Sequence, residues 1–337
     1  MLDPKRILCV TKSRYIGDTV LAVPAMRALR EAFPNAEMDL LTGPAAAATM
    51  AECPWFSRIL VEKPGAERSP VAVLRRAREL RTRNYDLSVL FNRSVRSAFL
   101  AWLAGIPTRV GFSVEMRGPL LTHRVPYDRS QHEIECMMDI VEAAGARSDD
   151  LRLELWVSPE ERGICHMHGL SPKAYVCFAC GANEPHLRLW PSEYFSRVGE
   201  EIARWGFRIV LLGSEGERAA TRPVVQALGN AALDLSGRTT IREALGWVSE
   251  AALYVSAETG LSHCAVALGT PSVVVHGPTK WQRWGHQTET AVALWTDLGS
   301  PNPTPQEIQA CLRAVHPQRV IEAARTLIKE PSFAPRP

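Results

Sequence analysis

Ser256-Ala-Glu-Thr-Gly-Leu-Ser-His-Cys-Ala-Val-Ala-Leu-Gly-Thr-Pro-Ser-Val-Val-Val-His-Gly-Pro-Thr279 reads as a strand end, a tight Thr-Gly turn, a short helix, a glycine stop, a proline and a second buried strand. A strand that enters a helix through Thr259-Gly260 sets free backbone N–H groups at the carboxyl edge of a sheet. That is where α/β proteins take up phosphate. Gly260 permits close approach of a ligand, Thr259 adds a hydroxyl, and His263 follows about one turn later. Many αβ units carry a glycine turn and a glycine stop, so this geometry decides the fold class before it decides the ligand.

The same alternation extends upstream. Strands are expected at 174–180, 207–212 and 253–256, with helices at 192–205, 221–228 and 240–249, and 232–235 leads to Ser236-Gly-Arg-Thr-Thr240. Thr240 with Glu243 fits a capping box, as does Thr304 with Glu307, where Pro305 takes the first helical position. A helix over 306–315 breaks at Pro317, and a last helix runs to about 329. The N-terminal half begins with a strand at 6–11 and a polar loop at 12–17. Asp18 then caps a helix reaching about 33, in which Pro24 predicts a kink. A strand at 37–41, helices at 71–82, 95–103 and 132–144, and strands at 85–91 and 109–112 follow. The polar segment 147–172 holds Ser158-Pro159 and Ser171-Pro172 and reads as the junction. The fold class is therefore α/β, with two doubly wound Rossmann-like domains at 1–158 and 172–303 and C-terminal helices at 304–330.

The 337 residues are 46% hydrophobic and 22% charged, enough to bury two cores. A net charge of +3 gives no global reason to bind nucleic acid. Locally, residues 63–96 hold nine basic side chains against three acidic ones. Such a stretch is either an ordinary solvated helix face or a surface for an anionic substrate or membrane. Of eight cysteines, Cys177 and Cys180 have redox or zinc spacing but lie in an expected strand with no second pair. His166-Met-His168 is a similarly weak metal signal. No leader and no apolar run of membrane-spanning length is evident, so a reducing cytoplasm is the expected setting. G-x-G-x-x-G is missing from both first turns, there is no Walker loop, and no Asp-x-Asp pair offers to hold a metal on a nucleotide diphosphate.

Four segments, in order, carry a family resemblance over nearly the whole chain. They are Tyr15-Ile-Gly-Asp-Thr-Val-Leu-Ala-Val-Pro-Ala-Met-Arg-Ala-Leu29, then 181–191 with Arg188 two places before Trp190-Pro191, then Leu211-Leu-Gly-Ser-Glu215 with Leu235-Ser-Gly-Arg-Thr239, and finally the opening stretch through Gly277-Pro-Thr279. In these the chain resembles glycosyltransferase family 9, the heptosyltransferases of the lipopolysaccharide inner core. The resemblance implies a GT-B fold with an interdomain cleft, a donor held mainly by the C-terminal domain, and a final helix returning toward the N-terminal domain. It implies an ADP-heptose donor, inversion at the anomeric carbon, and no metal or other cofactor. The implied acceptor is an anionic glycolipid of the Kdo-lipid A type, met by a cytoplasmic enzyme peripheral to the inner membrane.

Residue by residue, the resemblance makes Asp18 the general base; on the residues alone it is a helix cap. Arg188 would offset diphosphate charge, with Thr259, Gly260 and Leu261 as donors at the helix start. Asn183 would add a donor near the phosphates, where the neighbouring Glu184 has no evident role. Glu215 would hold ribose, Thr239 would meet the adenine edge, and His263 would lie close to the donor. Glu258 stands where the family has Asp before Thr-Gly. It leaves the donor sugar open, and a Glu258→Asp change is expected to preserve or improve use of ADP-heptose. Lys12, Arg14, Tyr15, Gly17 and Arg117 fall on acceptor positions, Tyr15 replacing a smaller residue, and Arg93 and Arg96 extend the basic patch. The competing readings are transfer to a protein or small-molecule acceptor, a non-catalytic nucleotide-sugar binder, and a sugar-nucleotide epimerase.

Overall fold

The computed structural model describes residues 3–11, 15–62, 65, 69–181, 188–277, 281–296 and 304–328. The chain divides into two units between Trp156 and Val157, two residues before the expected boundary.

The first unit is a six-stranded parallel sheet in the order β3-β2-β1-β4-β5-β6. Its strands are β1 (Arg6–Val10), β2 (Glu37–Thr42), β3 (Arg58–Val61), β4 (Leu87–Leu90), β5 (Thr108–Phe112) and β6 (His123–Val125). The edge strands β3 and β6 were not anticipated from sequence. The expected kink is present: α1 (Ile16–Leu21) and α2 (Val23–Ala32) break at Ala22, because Pro24 has no N–H to continue the ladder. An unanticipated α3 (Pro44–Thr49) follows β2. The helices α4 (Pro70–Thr82), α5 (Val95–Leu103) and α6 (Glu133–Ala143) match the expected periodicities. On one face of this sheet Leu8, Val10, Leu41 and Leu90 pack against Ala77 and Leu80 of α4 and Ala98, Leu100 and Ala101 of α5. The tail of the unit is tied down by Arg27, which pairs with Asp150 and Glu154, and by an edge-on contact of Trp156 with Trp55 at 4.8 Å.

The second unit repeats the design, with order β12-β11-β10-β7-β8-β9. Its strands are β7 (Tyr175–Ala179), β8 (Arg208–Leu212), β9 (Ala232–Asp234), β10 (Leu253–Ala257), β11 (Ser272–Val275) and β12 (Ala291–Leu294). Counted from the first strand of each unit, both sheets follow the doubly wound order 3-2-1-4-5-6. The central strands are apolar throughout because helices cover both faces. Val176 and Phe178 point to one layer with Phe195, Val198 and Ile202 of α8 (Ser192–Arg204). Tyr175 and Cys177 point to the other layer with Trp247 and Val248 of α10 (Ile241–Ser249). Between these helices in sequence lies α9 (Arg218–Leu228).

This alternation separates the Cys-x-x-Cys pair, since Cys177 and Cys180 enter opposite cores. Both thiols are buried, and that burial pushes their pKa values up. Neither is a reactive thiolate.

The segment read as a junction is split between the units, 147–156 closing the first and 157–172 opening the second. Ser158 and Glu161 form a capping box on α7 (Pro159–Arg162), and Arg242 of α10 clasps Glu161, with Nε donating to Oε1 at 2.6 Å. The C-terminal helices α12 (Pro305–Ala314) and α13 (Pro317–Leu327) were implied to return toward the N-terminal domain. They place Ile308, Leu312, Val320, Ile321 and Ala324 in the core of the second unit.

Candidate functional site

Each sheet has a point where its strand order reverses, and loops leaving the carboxyl ends there diverge to make a crevice. In the first unit the reversal lies between β1 and β4. Thr11, just past β1, donates to Thr42 at 2.7 Å and accepts from Thr19 at 3.0 Å. Asn92, buried just past β4, donates to the Thr11 carbonyl at 3.1 Å and to Ser97 at 2.9 Å. This lattice presses the first turn of α1 against the strand ends and fixes the half-buried Asp18, the neighbour of Thr19.

Asp18 is third in α1, not its cap. The N-cap is Tyr15, which makes no side-chain cap bond and is 41% exposed. The Asp18 carboxylate lies in the first turn, where the helix dipole favours the anion. Gly17 is buried beside it. Lys12 and Arg14 lie outside the described residues.

Arg117 is not a surface cation. It is fully buried, with Nε donating to the Phe112 carbonyl at 2.6 Å and Nη1 to the Ser94 carbonyl at 3.3 Å. Burial pushes its guanidinium down to about 10. Gly111 gives it room, since a Cβ there would sit 2.9 Å from Nη2. Arg93 stacks over Tyr127 at 4.5 Å, and Tyr127 donates to buried Glu133 at 2.9 Å. Arg117 thus joins the end of β5 to the start of α5.

In the second unit the reversal lies between β7 and β10. The Thr259 turn opens α11 (Gly260–Ala267) there as expected. Thr259 Oγ1 accepts from the Ser262 N–H at 3.3 Å, and Ser262 Oγ donates to the Thr259 carbonyl at 2.6 Å. The N–H groups of Gly260 and Leu261 have no acceptor within the helix. This terminus contributes roughly 0.3–2 kcal/mol toward a bound anion.

Glu258 is 3% exposed and precedes that turn. Its Oε1 lies 3.7 Å from Arg188 Nη1, and its Oε2 lies 3.5 Å from His276 Nδ1. The sequence placed Arg188 and Glu258 in one site, and the structure pairs them. It did not point to His276, which sits at the end of an apolar run and reads as strand. Arg188 is held by the Trp-Pro step after it. Trp190 is fully buried, donates to the Val315 carbonyl at 2.9 Å, and meets the Phe195 ring edge-on at 4.8 Å. Loss of such a side chain costs about 3–5 kcal/mol.

His263 is buried on α11, its Nδ1 2.9 Å from Nε2 of His286. Glu215 is exposed and pairs with Arg218 at 3.1 Å. It leans over Gly237, whose φ is +70° and where a Cβ would fall 2.2 Å from Oε2. Glu215, Gly237 and the half-exposed Thr239 therefore share the carboxyl edge of β8 and β9. Asn183 and Glu184 lie outside the described residues.

The arrangement can hold an anion on backbone N–H groups and an arginine, with a carboxylate for hydroxyl donors beside it. A model of glycosyltransferase family 9 (heptosyltransferase) matches residues 73–312. Lipopolysaccharide heptosyltransferase 2 of Salmonella typhimurium is 24% identical, over 96% of this chain and 99% of that protein. Among solved structures, a family 9 glycosyl transferase from Veillonella parvula superposes with TM-score 0.86 at 22% identity, covering 98% of this chain and 99% of that one. The E. coli ADP-heptose lps heptosyltransferase II superposes with TM-score 0.83 at 23% identity, covering 96% and 98%.

Proposed function

The chain belongs to glycosyltransferase family 9, and on that premise we propose that it moves heptose from ADP-heptose to a lipopolysaccharide inner-core acceptor of the Kdo-lipid A type, with inversion and without a metal. The observation that carries this reading is the Arg188–Glu258 pair at the N-terminus of α11. A nucleotide diphosphate needs positive charge where its oxygens sit, and here a guanidinium and two backbone N–H groups provide it. The carboxylate of Glu258 accepts from sugar hydroxyls. Glu215 and Thr239 hold the nucleoside end.

In the proposed step the acceptor oxygen attacks the anomeric carbon as the bond from that carbon to the phosphate oxygen breaks. Asp18 takes the acceptor's proton, and ADP leaves with its charge on Arg188, Gly260 and Leu261. General-base help of this kind is worth about 10²–10⁴-fold. The enzyme works at the cytoplasmic face of the inner membrane, where such an acceptor is presented. The test is incubation with ADP-heptose and Kdo-lipid A in the presence of a chelator, with the product anomer read by NMR. A transferred heptose of inverted configuration supports the reading. Failure to transfer to any Kdo-bearing acceptor removes it, and a chelator-sensitive reaction removes its metal independence.

A further inference from the structure

Large apolar side chains stand exposed on two adjacent helices of the first unit. α4 leaves out Val71 and Leu74, and α5 leaves out Val95, Phe99 and Trp102, each set at helical spacing. Val71 is 74% exposed and Trp102 49%. The Phe99 and Trp102 rings stack on each other at 5.7 Å, outside the core. Both helices pack on the same face of the sheet into one core, and Arg81 of α4 donates to the Leu103 carbonyl of α5 at 2.8 Å. Their outer surfaces therefore look the same way.

Cations rim this surface. Arg75 and Arg78 are exposed on α4 and Arg96 is half-exposed on α5, and none of the three has an ion pair among the described residues. Arg75, Arg76 and Arg96 also line, together with Glu62 and Glu79, a cavity of about 190 Å³ beside Val10 and Leu41. Water gives no return for Phe, Trp, Val and Leu on an outer helix face, and exposed apolar side chains grouped on adjacent helices mark a contact surface. Aromatic side chains beside arginines suit the boundary between headgroups and acyl chains, where anionic lipid attracts each cation. A second copy of the chain fits less well, because a two-fold contact would set these arginines against their own counterparts. Among the described residues no helix is long and apolar enough to cross a membrane.

We propose that the outer faces of α4 and α5 dock this protein on an anionic phospholipid surface. Phe99 and Trp102 enter the interface, and Arg75, Arg78 and Arg96 meet headgroup phosphates. The proposal rests on the reading that the acceptor is a glycolipid, and it names the surface that brings the enzyme to it.

The test is cosedimentation of the full chain with vesicles of phosphatidylglycerol and phosphatidylethanolamine, against vesicles of phosphatidylcholine. Wild type is expected to bind the anionic vesicles and to release as salt is raised. F99S/W102S and R75E/R78E are each expected to lower the bound fraction at least fivefold. Both variants are expected to keep ADP affinity and transfer to a deacylated, water-soluble acceptor, which shows that they fold. Brominated lipid is expected to quench wild-type fluorescence more than that of Trp102→Phe. Equal binding by wild type and both variants overturns the proposal, as does an absence of vesicle binding by wild type. A lipid-free dimer that depends on Phe99 and Trp102, without vesicle binding, overturns it as well. If wild type binds vesicles but transfers no heptose to the soluble acceptor, the functional reading fails and the docking surface stands.

Discussion

Glu258 and His276 each follow the last register pair of neighbouring strands, and their side chains meet 3.5 Å apart below the surface. β10 and β11 pair in parallel with Ala257 opposite Val275, so the next residue of each emerges at the same edge. Gly285 makes room for the imidazole, since a Cβ there would lie 3.1 Å from His276 Nε2. With Arg188 Nη1 3.7 Å from its other oxygen, the Glu258 carboxylate lies between a guanidinium and an imidazole. The glutamate is not a loose substitute for an aspartate.

This placement predicts an outcome for Glu258→Asp opposite to the one expected from sequence. Removing one methylene withdraws the carboxylate by roughly 1.5 Å, beyond both partners. The expected result is a rise of about tenfold in KM for the sugar nucleotide, about 1.4 kcal/mol, with ADP affinity unchanged. His276→Phe is expected to act in the same direction. His276→Asn, which keeps a nitrogen near the Nδ1 position, is expected to restore part of the loss. Titrations with ADP and with ADP-heptose separate the sugar from the nucleotide. A uniform loss on both ligands would make the pair a packing feature of β10 and β11.

Asp18→Asn tests the proposed base. Amide for carboxylate keeps the shape within the first turn of α1 and removes proton acceptance. Turnover is expected to fall by about 10²–10⁴-fold, with donor affinity in the second unit untouched. Single-turnover assays with saturating donor measure this, and activity within a few-fold of wild type would remove Asp18 from the role.

Much of this fold was legible in the chain because central parallel strands are apolar on both faces and their helices start with strong caps. β7, β8, β10 and β11 were recognisable from such runs, and the capping boxes at Thr240 and Thr304 lie where the sequence set them. The strands β3, β6 and β12 escaped because they are edge strands of three or four residues, too short to establish a period. The start of α1 was misread because Tyr15 caps it without a side-chain bond, while Asp18 has the chemistry of a cap. Arg188, Glu258 and Thr259 stood out by motif. His276, Asn92 and the burial of Arg117 did not, because each depends on residues far away in the chain.

Two glycines separate stability from binding. At Gly246 of α10 a Cβ would sit 2.2 Å from the Glu161 carbonyl oxygen, a backbone atom. Gly246→Ala must push α7 off α10, and the expected cost is about 1–3 kcal/mol, seen as a lower Tm with KM unchanged. At Gly181, just past β7, a Cβ would lie 2.4 Å from Glu217 Cβ. Glu217 accepts from the Ser214 N–H at 2.7 Å, so that side chain cannot swing away without breaking its cap. Gly181→Ala is expected to lower donor affinity as well as Tm. Equal effects of both changes on donor affinity would contradict this division.

Acid sensitivity has an identifiable source in the first unit. Hydrogen bonds from Arg152 hold the Asp150 carboxyl down to about 2, opposed by burial and helped by Arg27. Arg152 Nη2 lies 2.7 Å from one Asp150 oxygen and Arg27 Nη2 3.1 Å from the other. An unfolded aspartate titrates near 3.9, so the unfolded chain binds this proton first as pH falls. The ionised carboxylate therefore stabilises the fold at all pH values above about 4, and that contribution fades as pH drops toward 2. Asp150→Asn removes it at every pH. The urea midpoints of wild type and variant are expected to differ by a constant amount from pH 5 to 7 and to converge between about pH 4 and 2. A gap that stays constant through that window would show that Asp150 acts through packing alone. Arg27 would then hold the tail of the unit through Glu154 and the carbonyls of Asp150 and Arg152.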